Sequence, residues 1–154
     1  HINLKGIAWL VPLPSITAGI GSFIAGFIMV KFFTGHEKWL ISLSALVTMV
    51  FMYGMFHSLS LTGVITFEVL AYFTKSIGFA ASYAFVAQLV AKTNYGASIG
   101  VVNFGGQLAG FLAPILIGLV IQGTHSYTAA FLVLTFFALL AFVASLTIHG
   151  KKAN

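Results

Sequence analysis

At 154 residues the chain is long enough for one modest domain, yet 60% of it is hydrophobic and only 6% charged, where a soluble domain is about a quarter charged. Seven Lys and two Glu, with no Arg and no Asp, cannot clothe a water-facing surface, so a soluble globular protein is excluded. The lack of Cys rules out a disulfide scaffold, Cys-ligated zinc and iron–sulfur clusters, and the Lys are too scattered to make a nucleic-acid patch. The composition is that of an integral membrane protein whose first partner is the lipid bilayer.

Charge-free runs locate the spans, because about 20 apolar residues cross a bilayer as a helix. The first run covers 6–31, opening after Lys5 and closing at Lys31. The second covers 39–57 and opens on Trp39, a residue suited to the membrane interface. The third covers 62–90 and is interrupted only by Glu68 and Lys75. From 93 to 150 there is no charge at all, which is too long for one helix. The turn-like Gly123-Thr124-His125-Ser126 divides it into spans at 97–122 and 127–148. Five transmembrane helices are expected, and an all-α fold; the runs lack the alternation that a membrane barrel requires.

Lys placement predicts orientation. Lys31, Lys38, Lys92, Lys151 and Lys152 fall at connections on one side, and only Lys5 falls on the other. The C-terminus is therefore expected in the cytoplasm, in a multi-pass protein of the plasma or inner cell membrane. The first residue would then lie outside, without a preceding signal peptide. A sequence that begins partway through a longer protein accounts for this most simply.

Span three carries the groups that are hardest to place in lipid. Lys75 sits near the bilayer centre, where a Lys costs roughly 2.5–3.5 kcal/mol on insertion scales. Glu68, seven residues earlier, lies two turns away on nearly the same face, about 10 Å along the axis. Either these residues pair with charges on other helices, or they mark a solute or ion pathway. A cation without an adjacent acid favours an anionic solute, and Glu68 is a candidate for proton coupling. Tyr83 lies eight residues beyond Lys75, again near that face, as core packing or as part of a site.

Span four places Gly106, Gly110, Pro114 and Gly118 at intervals of four, one stripe of small residues that lets a neighbouring helix approach. Pro114 removes a backbone hydrogen bond and permits a bend, so the stripe is a candidate for packing or gating. Asn103 and Gln107 are also four apart. They either join helices by hydrogen bonds or form a cavity wall that meets a polar solute. Gly96-Ala97-Ser98-Ile99-Gly100 spells a hydrolase nucleophile pattern, but the strand-to-helix turn that gives it meaning is missing. The five His stand at connections or ends without ligand spacing. No catalytic residue, metal site or cofactor is expected, and the protein is not expected to be an enzyme.

From Lys75 to about Leu134 the chain resembles the C-terminal part of a major facilitator superfamily transporter. It is most similar to the anion:cation symporter family of sugar-acid permeases and sialin-like carriers. YFTKSIGFAASYAFVAQLVAK follows that family's tenth-helix pattern F-F-G-K-G-x-G-A-L-G-W-A-V-V-S-D-T-x-P-K. Lys75 matches the family Lys once one residue is inserted before Tyr83, which takes the Trp position. GASIGVVNFGGQLAGFLAPILIG follows the next pattern in register at Gly96, Ser98, Gly100, Asn103, Gly106, Ala109, Gly110, Pro114 and Gly118. Gln107 replaces an Asn, Gln88 an Asp and Ala91 a Pro. GFIMVKFF, at the end of span one, keeps the base of a G-x-x-S-D-R motif at Lys31 and has Val30 in place of the Asp.

The resemblance implies that 1–154 is a partial C-terminal six-helix half, its spans being helices eight to twelve of a twelve-helix fold. It implies a secondary active transporter that moves a small organic anion such as a sugar acid by proton- or sodium-coupled alternating access. Lys75, Tyr83, Asn103 and Gln107 would line the solute cavity. The missing N-terminal half would be an obligate partner. The alternative is a non-transporting membrane scaffold or assembly subunit, or a degenerate partial gene product.

Overall fold

A computed structural model describes residues 9–148. Lys5, Lys151, Lys152 and His149, and the first residues of the 6–31 run, lie outside the described residues. The described residues form five helices that are long and apolar enough to cross a membrane. These are α1 (Leu13–Phe32), α2 (Glu37–His57), α3 (Leu61–Leu89), α4 (Tyr95–Thr124) and α5 (Tyr127–Thr147), with a short 3-10 turn at Lys92–Asn94. No strand occurs among them.

The helix ends follow local chemistry. The first charge-free run opens at residue 6, but α1 begins at Leu13 and residues 9–12 form a turn. Pro12 and Pro14 set this start, because Pro has no N–H to donate and suits the first helical turn. Gly35, at φ +76°, turns the chain between α1 and α2. Ser60 caps α3 by accepting from the Gly63 amide at 3.1 Å, and Ser126 caps α5 by accepting from the Ala129 amide at 3.3 Å. His125, at φ 51°, closes α4 in the left-handed region. At 29 residues α3 is about 44 Å long, more than a hydrocarbon core of about 30 Å needs, which tilt or protrusion accommodates.

The long helix α3 is the centre of the packing and meets both α1 and α2, and α5 packs on α2. Ala25, Leu40, Ile77 and Ala81 form the buried core, with Ile28, Phe33 and Phe73 around it. Hydroxyls and one Lys tie the helices where lipid offers no partner. Thr48 and Thr74 share a 2.9 Å bond, as do Ser42 and Ser145, and Lys38 Nζ donates to the Leu146 carbonyl at 2.9 Å. By contrast α4 buries no residue of its own and touches α3 and α5 only lightly.

Close helix crossings occur at glycines outside the span-four stripe. A Cβ on Gly21 would lie 2.5 Å from the Phe73 carbonyl oxygen, and one on Gly78 would lie 2.9 Å from Ser44 Oγ. On Gly110 and Gly118 an added Cβ meets nothing within 4 Å, and on Gly106 only the Phe79 ring at 3.9 Å. Within the described residues, then, the stripe brings no backbone close.

The charge asymmetry predicts that the connections near 34–38 and 92–96 are cytoplasmic and those near 58–61 and 123–126 external. His36→Cys and His125→Cys, made singly in this Cys-free chain, should react with an impermeant thiol reagent from opposite sides. Labelling of both from outside would reject the orientation.

Candidate solute cavity

Lys75, Phe79 and Tyr83 stand at intervals of four on α3 and so share a face. The Lys75 ammonium lies over the Tyr72 ring, 4.8 Å from its centroid. That contact gives the cation a partner without neutralising it. Phe79 meets Tyr83 edge to face with centroids 4.8 Å apart. The Tyr83 hydroxyl donates to Asn103 Oδ1 on α4. This bond joins α3 to the otherwise loosely held α4.

Two cavities meet at Lys75. One, of about 430 Å³, lies among α2, α3, α4 and α5 and is lined by Glu68, Tyr72, Lys75, Gly110 and Pro114 together with apolar side chains. The other, of about 380 Å³, lies among α2, α3 and α5. Its wall is largely apolar, with Lys75 and the hydroxyl residues Ser44, Thr48 and Ser82 as the polar exceptions. A third cavity, of about 260 Å³, lies between the N-terminal ends of α1 and α3; Glu68 borders it as well.

The structure therefore brings Glu68, Lys75, Gly110 and Pro114 to one cavity, and it pairs Tyr83 with Asn103, neither of which lines either of the Lys75 cavities. Gln107 and Gly118 line neither of the Lys75 cavities, and Gln107 is exposed on α4. Pro114 has no N–H, so the Gly110 carbonyl one turn earlier loses its helical partner. This adds a hydrogen-bond acceptor to the cavity wall. A cation, a free carbonyl and apolar walls together can hold an anion that carries hydroxyl groups.

Sequence reasoning passed over Glu37. It opens α2, is 3% exposed, and accepts from the Gly35 amide at 2.8 Å and from Gln88 Nε2 at 2.7 Å. It thereby fastens the α1–α2 connection to the end of α3. The signal was available: one acid stands among the bases of a connection in a chain with only two acids.

Residues 1–153 match the model of the Major Facilitator Superfamily, and the chain belongs to that family, whose members are membrane transporters and not enzymes. It is 34% identical over 87 residues to the probable galactarate/D-glucarate transporter GudP of Escherichia coli (strain K12). That match covers 56% of this chain and 19% of the relative, so the chain spans a minor part of the relative's length. No solved structure gives a significant match.

The Tyr83–Asn103 bond can be tested as a link between helices. Tyr83→Phe and Asn103→Ala should each lower the thermal stability of the intact protein by about 0.5–1.5 kcal/mol. Because they remove the same bond, the double variant should lose little more than either single one. Fully additive losses in a double-mutant cycle would show that the two side chains act separately.

Proposed function

We propose that the chain is the C-terminal part, helices eight to twelve, of a twelve-helix carrier that moves a small organic anion of the sugar-acid class. Transport is by alternating access, driven by a coupled proton or sodium ion. The single observation that carries this reading is a Lys at mid-helix lining two cavities, with an aromatic face and no carboxylate as its contact. A lone cation at that depth is a functional group by default, and it attracts negative charge. The relative's printed substrates, galactarate and D-glucarate, are anions that carry several hydroxyls, which fits an ammonium beside a free carbonyl.

In this reading Lys75 holds the carboxylate of the solute. Tyr83 and Asn103, joined to each other, and Gln107 border its path, and Glu68 is the coupling candidate. Gly106, Gly110, Pro114 and Gly118 let α4 shift as the cavity changes its exposure. The protein resides in the plasma or inner cell membrane with its C-terminus in the cytoplasm. An N-terminal half of the same carrier supplies the other wall. Uptake of D-glucarate by the intact carrier, with and without Lys75→Gln, tests the proposal.

A further inference from the structure

The cavity of about 380 Å³ among α2, α3 and α5 differs in chemistry from its larger neighbour. No α4 residue lines it, so the carbonyl freed by Pro114 lies outside it. The three hydroxyls in its wall are already committed to their own helices. Ser44 Oγ donates to the Leu40 carbonyl, Thr48 Oγ1 to the Ser44 carbonyl at 2.7 Å, and Ser82 Oγ to the Gly78 carbonyl at 2.9 Å. A sugar acid seated here would bury its own hydroxyls with few partners, which opposes binding. The remaining wall is apolar except for Lys75, whose ammonium has the Tyr72 ring as its contact and keeps its N–H donors for a ligand.

The cavity is also elongated. The Thr48–Thr74 and Ser42–Ser145 bonds, with Gly78 against Ser44, set α3 and α5 antiparallel to α2. Met52, Lys75 and Leu134, which the larger cavity shares, therefore lie at one end, and Ile41, Ser82 and Ala141 at the other. From Lys75 to Ser82 is about 10 Å along α3. An extended chain advances about 1.2 Å per bond, so eight carbons match that length. The volume suits a small ligand, whose sites span about 300–1,000 Å³.

The geometry points to a second ligand site in this cavity, for a medium-chain fatty acid anion such as octanoate. Its carboxylate meets the Lys75 ammonium and its tail lies along the apolar walls toward Ala141. Occupancy then opposes binding in the larger cavity, because a further carboxylate beside an ammonium already engaged adds uncompensated negative charge away from bulk water. This opposition rests on the reading of Lys75 as the solute-binding cation; the site itself does not.

The test uses the intact carrier in proteoliposomes and octanoic acid bearing a diazirine at its far end. Irradiation should label peptides of α2 and α5, and free octanoate should compete the label away. Each methylene buried should tighten binding about fourfold, so competition should strengthen from butyrate to octanoate. Octanol, which lacks the charge, should compete about tenfold or more weakly. Ala138→Phe, and the milder Ala141→Leu, narrow this cavity without touching the other. Each should weaken labelling severalfold and leave D-glucarate uptake within about twofold. In the unaltered carrier octanoate should raise the KM for D-glucarate without lowering the maximal rate. Octanol competing as well as octanoate would overturn the site, since an apolar groove for any lipid tail would explain it. Label that octanoate does not displace, or that neither Ala variant weakens, would overturn it too. Displaceable label with D-glucarate uptake unaffected by octanoate would refute the shared ammonium. Displaceable label in a carrier that takes up no sugar acid would refute the carrier reading and leave the site standing.

Discussion

Replacing Lys75 with Gln should reduce anion uptake by the intact carrier about tenfold to a hundredfold, while the protein still folds and inserts. The folding half of this expectation follows from the structure. Lys75 is exposed to the cavities and contacts the Tyr72 ring, and no protein carboxylate would be left unpaired by its loss. The uptake half follows from electrostatics. A hydrogen bond to a charged group is worth about 1.5–3 kcal/mol, each 1.4 kcal/mol is about tenfold in affinity, and low dielectric around the cavity strengthens the attraction. Lys75→Arg should retain part of the uptake, since it keeps the charge with a different geometry. The Glu68→Gln/Lys75→Gln double variant separates two roles. Recovery of uptake there would mean that the two residues only neutralise each other, and would remove Lys75 from the solute site.

Gly21→Ala should lower the thermal stability of the protein strongly, whereas Gly19→Ala, two residues away on the same helix, should not. The new Cβ at 21 would fall 2.5 Å from the Phe73 carbonyl oxygen and 2.5 Å from Ser76 Oγ. Backbone cannot swing aside as a flexible side chain can, so α1 and α3 must separate. Overpacking of this kind costs about 1–3 kcal/mol. At 19 the Cβ meets nothing within 4 Å, and Ala gains roughly 0.5–1 kcal/mol over Gly inside a helix. The two variants should therefore move the melting temperature in opposite directions. Equal shifts would show that α1 does not cross α3 at this point.

The helices were legible because charge is expensive in lipid, and the charge-free runs mark where the chain crosses. Discrepancies at the ends have local causes. The second run opens at Trp39 in the sequence, yet α2 begins at Glu37, whose carboxylate the Gly35 amide and Gln88 satisfy. The apolar stretch ahead of Leu13 reads as membrane, yet Pro12 and Pro14 set the helix start.

Packing was harder to see. Spacing shows that Gly106, Gly110, Pro114 and Gly118 share a face, but not what that face meets. The crossings at Gly21 and Gly78 depend on the rotation of one helix against another, which no single-helix periodicity contains. The Glu68–Lys75 relation was legible because both residues lie on α3. The cavities that join them were not, since their walls come from α2, α4 and α5. Nor was the position of Glu68 between two cavities, which depends on how α1 meets α3.

The central claim is that the intact protein carries sugar acids. Transport of radiolabelled D-glucarate into proteoliposomes containing only the purified full-length carrier tests it most directly, with the uncharged alditol galactitol measured in parallel. Both solutes carry several hydroxyls, and the carboxylates of the first are what Lys75 is expected to recognise. The account predicts saturable D-glucarate uptake, inhibited by galactarate and unaffected by excess galactitol, which itself enters at the rate of protein-free vesicles. Uptake of galactitol equal to that of D-glucarate, or D-glucarate entering no faster than into protein-free vesicles, would contradict it.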